Sequence, residues 1–347
     1  MIECIFTLDY EVYGNGTGSL KELVYEPAKR LQEIFRKWNA RFVNFVEVAE
    51  LRQIEIYGTD PGISDIKRQI QEFYREGFEI GLHLHPQWCN ARHENGKWIL
   101  DYEEYNLCTL PRPRISQIVE QSLTYLREAV GQSGFTPVSF RAGNWLFQPT
   151  EIAASVLADK GIQIDSSVFK GGLQHDNTLD YRPALGNGYY WSFGRDVNKP
   201  DPLGQWIEVP IYTEMVPFWR MPTSKRLGFT GGVGMNTRSA KQKLNRALDL
   251  LRLWYPRKLD FCRMTLSELT SALDRIVYED QDSPEVYRPI VAIGHTKDLT
   301  DPQTVDAFLS FLHEKQIAVS TFETARPKLL RETAQNHVGA ITPAMGK

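Results

Sequence analysis

Two periodicities of hydrophobic residues alternate along the chain. Short runs rich in β-branched and aromatic residues, such as residues 2–8, predict strands, whereas longer segments with an apolar residue every three or four positions, such as 26–38, predict helices. In the segment 64–77, Ser64 stands where a helix N-cap is expected and Gly77 where a helix ends. This alternation is typical of an α/β protein in which helices cover a parallel sheet, either open or closed into a barrel.

The pattern predicts strands at 2–8, 40–48, 78–84, 137–143, 162–167, 206–212, 259–264 and 289–295. It predicts helices at 26–38, 64–77, 114–131, 149–161, 239–254, 265–278 and 302–316. We expect residues 1–330 to form one domain, with a long loop at 167–206 over the site and a C-terminal tail at 331–347. The glycine-rich stretches 13–20 and 228–236 are expected to be flexible loops.

Composition excludes several classes of partner. The formal net charge of the 347 residues is −3, which gives no electrostatic footprint for nucleic acid or an anionic membrane. The four cysteines lie far apart without a C-x-x-C, a spacing that favours reduced thiols. The first residues lack a basic region, and no apolar run approaches the ~18 residues of a membrane span, so a cytoplasmic location is expected. The oligomeric state stays open.

Polar and titratable residues stand where the predicted strands end. The carboxyl ends of parallel strands meet at one edge, and we expect these groups to gather there: Asp9, Glu11, His83, His85, Arg141, Asn144, Asp165, Asp260 and His295. Strand side chains alternate faces, so Asp9 and Glu11 share a face, and so do His83 and His85. Their nitrogen and oxygen donors suit zinc or a similar divalent ion. Each residue taken singly is equally compatible with a structural hydrogen bond or ion pair.

Seven motifs follow one another in the order found in a known family: "TLDYE", "ARFVNFVEV", "EIGLHLHP", "SFRAGNW", "GIQIDSSVF", "IEVPI" and "VAIGHTK". From about residue 5 to residue 325 the chain resembles the polysaccharide deacetylases of the NodB-homology type. The resemblance implies a distorted (β/α) barrel with fewer than eight parallel strands. It also implies removal of acetyl groups from N-acetylated sugars with a divalent metal, Zn²⁺ first and Co²⁺, Ni²⁺ or Mn²⁺ as alternatives.

The same resemblance implies roles for the residues that match the motifs. Asp9 matches the general base, Arg141 the arginine that keeps it ionised, and His295 the general acid. Asp260 is the expected orienter of the acid, and the backbone N–H of Asn144 is expected to bind the oxyanion.

The implied metal ligands are Glu11, His83 and His85. Tyr10 separates the two acids of "TLDYE", where many members have adjacent aspartates, and Gln87 stands where many have their second histidine. His85 is therefore the nearest replacement for that histidine. Trp88 and Trp145 are candidates for stacking on a sugar ring, and the strand-end acid Asp165 is a further candidate substrate contact.

Three functions are compatible with this pattern. The first is a metal-dependent N-deacetylase acting on the acetamido group of a sugar. The second is a metal-dependent hydrolase of another C–N bond, such as an N-formyl group or a cyclic amide. The third is a metal-free carbohydrate-binding protein. The altered spacing of the second histidine suggests this function, because it would account for the loss of the metal. The chain has no G-x-S-x-G elbow, Walker loop or H-E-x-x-H motif that would indicate other chemistry.

Overall fold

The computed structural model describes residues 1–187, 189–221, 225 and 253–330. The glycine-rich stretch 228–236, nearly all of the predicted helix 239–254 and the tail 331–347 lie outside these described residues.

Fifteen strands form within the described residues. They are β1 Ile2–Tyr10, β2 Val43–Glu47, β3 Glu79–Leu84, β4 Arg92–Glu94, β5 Lys97–Ile99, β6 Ser139–Ala142, β7 Ile164–Asp165, β8 Leu173–Gln174, β9 Leu179–Asp180, β10 Trp191–Phe193, β11 Trp206–Glu208, β12 Thr213–Pro217, β13 Trp254–Lys258, β14 Arg288–His295 and β15 Ala318–Ser320. The main sheet runs β10–β11–β7–β6–β3–β2–β1–β14, and β15 pairs with β1 outside this path. All neighbouring pairs are parallel except β10–β11.

The sheet curls towards closure. Ile211, which follows β11, bridges both Phe169 beyond β7 and Val291 on β14, so it links the two ends of the path. Along the path seven strands are parallel, and the antiparallel β10 lies at one edge. The prediction of a distorted (β/α) barrel is thereby confirmed, with seven parallel strands along the path and β15 as a further parallel partner of β1.

Seven α-helices have both ends within the described residues: α1 Glu26–Lys37, α2 Val48–Tyr57, α3 Ile63–Arg75, α4 Arg112–Val130, α5 Thr150–Ala158, α6 Leu266–Asp280 and α7 Pro302–Glu314. Residues 322–330 are also helical. The prediction missed α2, which follows β2 directly; the strand predicted at 40–48 ends on its first residue, Val48. The predicted N-cap was wrong, since α3 begins at Ile63 without a side-chain cap. Gly77 has φ +78°, the left-handed conformation expected just beyond a helix end.

The strand predicted at 259–264 was wrong. Asp260 makes a single bridge to Ile293, and the side chain of Asp260 then accepts the N–H of Cys262 and of Arg263, which turns the chain. The preceding residues form β13 instead, paired antiparallel with β12 in a ribbon outside the main sheet. Pro256 within β13 is compatible with such a two-stranded ribbon, where one backbone edge needs no donor.

The predicted loop 167–206 contains three short strands, β8, β9 and β10. It contacts two residues at the strand ends. The Phe169 ring lies 5.5 Å from that of Trp145, and Gln174 donates to the carbonyl of Asn144 over 3.2 Å. No helix in the described ranges has both the length and the apolar character of a membrane span.

The core lies between the sheet and its helices. Every residue of β2 and β3 is buried, as expected for parallel strands covered on both faces. Phe6 on β1 has no exposed surface and contacts the rings of Phe35, Phe261 and Phe308. Burying a side chain of this size stabilises the fold by roughly 1.5–3 kcal/mol. This packing holds the strands rigidly, and their carboxyl ends carry the polar groups.

Candidate active site and metal centre

A cavity of about 280 Å³ opens at the carboxyl ends of the strands. Its charged, polar and aromatic lining comprises Asp9, Glu11, His83, His85, Asn144, Trp145, Lys258, Asp260, Arg263, His295 and Lys297. Strand register explains the gathering, because Asp9 is directly opposite His295 on β14 and His83 is opposite Arg141 on β6. Residues opposite one another in a parallel sheet present side chains to the same face at the same height.

Asp9 and Arg141 form a buried ion pair. Nη1 of Arg141 donates to Oδ1 of Asp9 over 2.6 Å, and neither side chain has more than 3% of its surface exposed. The guanidinium also donates to Thr7 Oγ1 and to the carbonyl of Ser166, which fixes its plane. Burial by itself would raise the pKa of Asp9, but the neighbouring charges, Arg141 foremost, hold that pKa below its ordinary value. Asp9 is therefore a carboxylate.

Glu11, His83 and His85 converge on one point. Oε2 of Glu11 lies 3.5 Å from Nε2 of His83 and 3.1 Å from Nε2 of His85. One ligand atom from each residue lies within 4.8 Å of the other two. The two imidazole rings are almost perpendicular, so their nitrogens approach the acid from different directions. Two imidazoles and a carboxylate are a donor set that divalent first-row metals accept.

The surroundings of the histidines fit metal binding. Nδ1 of His83 donates to the carbonyl of Arg141 over 2.8 Å, which directs Nε2 towards Glu11. Burial would lower the pKa of His83, but the charges of Asp9 and Glu11 raise it above its ordinary value. A cation is therefore favoured at this position. Burial lowers the pKa of His85, which favours the neutral imidazole that a metal requires.

An unpartnered oxygen lies behind His85. The amide nitrogens of Gln87 and Asn144 lie 3.2 and 3.3 Å from its Nδ1, while the buried Oε1 of Gln87 has no hydrogen-bond partner among the described residues. A half-turn of the Gln87 amide would bring that oxygen to Nδ1 as an acceptor. Nδ1 would then carry the proton, and Nε2 would present its lone pair to a metal.

Lys297 pairs with the acid of this cluster. Its Nζ donates to Oε1 of Glu11 over 2.7 Å, on the side away from the histidines. Burial by itself would raise the pKa of Glu11, but Lys297 and His85 lead the interactions that hold it well below its ordinary value. Glu11 is consequently ionised, with Oε2 facing the two imidazoles.

His295 lies between two acids. Its Nε2 is 3.4 Å from Oδ2 of Asp9, and its Nδ1 is 3.7 Å from Oδ2 of Asp298. Arg263 binds and fixes Asp298. Asp260, the predicted orienter, has no oxygen within 4.0 Å of the His295 ring nitrogens in the described structure and caps a turn instead. Asp298 is thus the acid nearer to Nδ1 of His295, but 3.7 Å is too long for a hydrogen bond, and this buried nitrogen has no hydrogen-bond partner among the described residues.

The three predicted substrate contacts lie in different places. Trp145 lines the cavity, but the ammonium of Lys258 lies 3.0 Å from the centre of its ring and covers that face. Trp88 is 1% exposed and packs on Trp98, while Asp165 is fully buried and accepts hydrogen bonds from Ser167. Trp88 and Asp165 are therefore enclosed away from the cavity, and we do not retain them as substrate contacts.

Asn144 lies in a tight turn after β6. Its φ of +55° and that of Trp145, +60°, are left-handed conformations, which asparagine tolerates better than most residues. The turn brings Asn144 to the cavity wall, next to His85.

Four charged groups of the site were missed from the sequence: Lys258, Arg263, Lys297 and Asp298. Lys297 and Asp298 directly follow β14, so the strand-end rule that selected His295 could have found them. Lys258 ends β13, a strand that was not predicted. No pattern in the sequence places Arg263 beside Asp298.

Comparisons with known proteins give a fold but no close relative. No family model matches the chain, and no curated protein matches its sequence. The solved structure of a protein assigned as a polysaccharide deacetylase from Mycobacterium smegmatis is similar, with a TM-score of 0.53, 14% identity, and coverage of 99% of this chain and 93% of that chain. A second protein so assigned, from Pseudomonas aeruginosa PAO1, gives a TM-score of 0.50 and 13% identity over 97% of this chain and 92% of that chain. The chain thus has the fold of these polysaccharide deacetylases.

Proposed function

We propose that this protein is a metal-dependent N-deacetylase that hydrolyses the acetamido group of an N-acetylated sugar. The observation that carries the proposal is the convergence of Glu11, His83 and His85 next to the Asp9–Arg141 ion pair, in one cavity at the strand ends. A nucleophile-activating base and a cation site within one cavity are what hydrolysis of an unreactive amide requires.

Glu11, His83 and His85 would hold the ion, and the mixed nitrogen and oxygen donors favour zinc, with Co²⁺, Ni²⁺ and Mn²⁺ as alternatives. When bound, such an ion supplies Lewis-acid chemistry, polarising the amide carbonyl and making a water molecule more acidic. Oε1 of Glu11 stays with Lys297, so Oε2 is the oxygen left for coordination.

The other residues move protons and bind charge. Asp9, kept ionised by Arg141, takes the proton of the attacking water. His295, whose Nδ1 lies 3.7 Å from Oδ2 of Asp298, donates a proton to the departing amine, which is otherwise a poor leaving group. The N–H of Asn144, at the cavity wall, assists in binding the oxyanion.

Metal analysis and acetate release test the proposal together. The purified protein should contain about one equivalent of a divalent ion and release acetate from N-acetylhexosamine substrates. His83→Ala should lose the metal and at least ~100-fold of the activity, since removing even an indirect support of a ligand costs roughly 10–100-fold. His93→Ala, which removes a histidine packed against Trp98 in the β4–β5 hairpin, should change neither. A His83→Ala protein that keeps metal and activity would contradict the proposal.

A metal-free carbohydrate-binding protein is the second candidate. The ion pair of Glu11 with Lys297 favours it, because the lysine already compensates the charge of the acid without a metal. A preparation that takes up no Zn²⁺ on dialysis, yet binds an N-acetylated sugar in calorimetry, would decide for this candidate. A panel of N-formyl and cyclic amides, followed by formate release and by the appearance of the ring-opened acid, tests the alternative of another C–N bond.

A further inference from the structure

Among the described residues, three cationic side chains line the cavity, and two of them pair with acids. Lys297 pairs with Glu11 at 2.7 Å, and Arg263 pairs with Asp298. Lys258 differs: Asp260 and Asp9 line the same cavity and act on its charge, but among the described residues no carboxylate oxygen lies within 4.0 Å of its Nζ. Its ammonium instead lies against two aromatic rings, 3.0 Å from the ring centre of Trp145 and 4.1 Å from that of Phe169.

The aromatic contacts only partly offset the loss of hydration. The faces of the two rings attract the ammonium, but a ring is a weaker partner for a partly buried cation than an acid in contact with it. Partial burial lowers the pKa of Lys258 to about 7, and Asp260 is the main charge that acts against this shift. A methionine or leucine would fill the space between the rings at no such cost. An ammonium held at the wall of a cavity and lacking an acid partner is suited to an anion that enters with a ligand.

We infer that Lys258 is a specificity residue that recognises an anionic oxygen group, a phosphate or a carboxylate, on the N-acetylated sugar. The inference rests on the proposed function for the reaction, but the binding it claims can be tested without catalysis. Lys258 and the Glu11–His83–His85 cluster line the same cavity of about 280 Å³, so one small sugar can reach both. A neutral sugar would leave the ammonium without a partner, and an anionic sugar would give it one.

The position of Lys258 also explains why Trp145 is a poor sugar platform. The ammonium covers one face of the indole, and the Phe169 and His295 rings approach Trp145 edge to face at 5.5 and 6.4 Å. Trp145 therefore serves to hold the lysine. Recognition at this wall is by charge rather than by stacking.

The test compares three probes that share the acetamido sugar: N-acetylglucosamine, which is neutral, its 6-phosphate, and N-acetylmuramic acid, which has a carboxylate. The variants are Lys258→Met, which keeps the length without the charge, Lys258→Arg, which keeps the charge, and Lys315→Met as a control at an exposed ion pair with Asp274. Values of kcat/KM are measured with the metal-loaded protein. Dissociation constants are measured by calorimetry with the same protein after chelation.

Lys258→Met should weaken binding of one anionic probe, or of both, roughly 10- to 100-fold, mainly through KM, and should leave the neutral sugar within about twofold. Lys258→Arg should retain most of the affinity, and Lys315→Met should match the unmodified protein. The probe that responds identifies phosphate or carboxylate as the recognised group. An equal effect of Lys258→Met on all three probes, whether none or a uniform loss, would overturn the inference.

Failure of the proposed function gives a different result. If no probe releases acetate but the anionic sugars bind more tightly than the neutral one in a Lys258-dependent way, the deacetylase proposal fails and the anion site stands. If acetate is released and all three sugars bind alike, the anion site fails and the deacetylase proposal stands.

Discussion

Replacing Arg141 by methionine tests the geometry on which the candidate site depends. The change keeps the length of the side chain and removes its charge and donors. Arg141 is completely buried, and its guanidinium donates to Asp9, Thr7 and Ser166. Methionine would leave the carboxylate of Asp9 inside the protein without its closest counter-charge.

The expected loss is large. Breaking a buried ion pair by removing one partner costs about 3–5 kcal/mol, because the remaining charge stays uncompensated. The guanidinium also lies 4.4 Å from the ring centre of Phe45, a contact of about 0.5–2 kcal/mol that methionine replaces in part. Asp9→Asn should cost less, since Arg141 keeps its hydrogen bonds to Thr7 and Ser166.

The assay is a double-mutant cycle of Arg141→Met and Asp9→Asn, with urea unfolding followed by tryptophan fluorescence in the presence of a chelator. The losses of unfolding free energy in the two single variants should not add. The double variant should be at least ~2 kcal/mol more stable than the sum of the two losses indicates, because it contains no unpaired charge. Arg68→Met is the control. Its exposed guanidinium pairs with Asp65 one turn away, so the loss should be below ~0.5 kcal/mol.

The result does not depend on any catalytic activity. A coupling energy below ~0.5 kcal/mol, with normal unfolding cooperativity, would refute the buried ion pair. The assignment of Asp9 as an ionised base would then lose its structural support.

Two further predictions concern the fold. Burial raises the pKa of Glu79 from 4.5 to about 7, so folding favours its protonated form. The stabilisation that this proton gives the folded state is complete below pH ~4.5 and is lost as the pH rises through about 7. Between pH 5 and 8 the unmodified protein should therefore lose about 2 kcal/mol more unfolding free energy than Glu79→Gln, and equal pH profiles would contradict this. Phe6→Ala should destabilise the protein by about 3–5 kcal/mol, because three ring contacts are lost. The control Tyr278→Ala, at an exposed residue, should cost less than ~0.5 kcal/mol. A similar urea midpoint for the two variants would show that the described packing of Phe6 is wrong.

The polar and apolar pattern determined the class of fold and which strand ends matter. Seven of the eight predicted strands overlap strands of the main sheet, because parallel strands buried on both faces are apolar runs that local composition reveals. The alternation of side chains and the common edge of parallel strands were enough to predict that Asp9, Glu11, His83, His85 and His295 gather in one place. The structure brings all five to the cavity wall.

Only tertiary structure decided which group partners which. The distances that place Asp298 rather than Asp260 beside His295, and Lys297 beside Glu11, depend on where β14 ends relative to β1. Lys258 reaches the cavity from a ribbon whose pairing joins residues about forty positions apart, and no local periodicity records such a contact. Periodicity reports which face of an element is buried. Ion pairs and hydrogen bonds at a site are set by the relative positions of several elements, and these positions exist only once the core has packed.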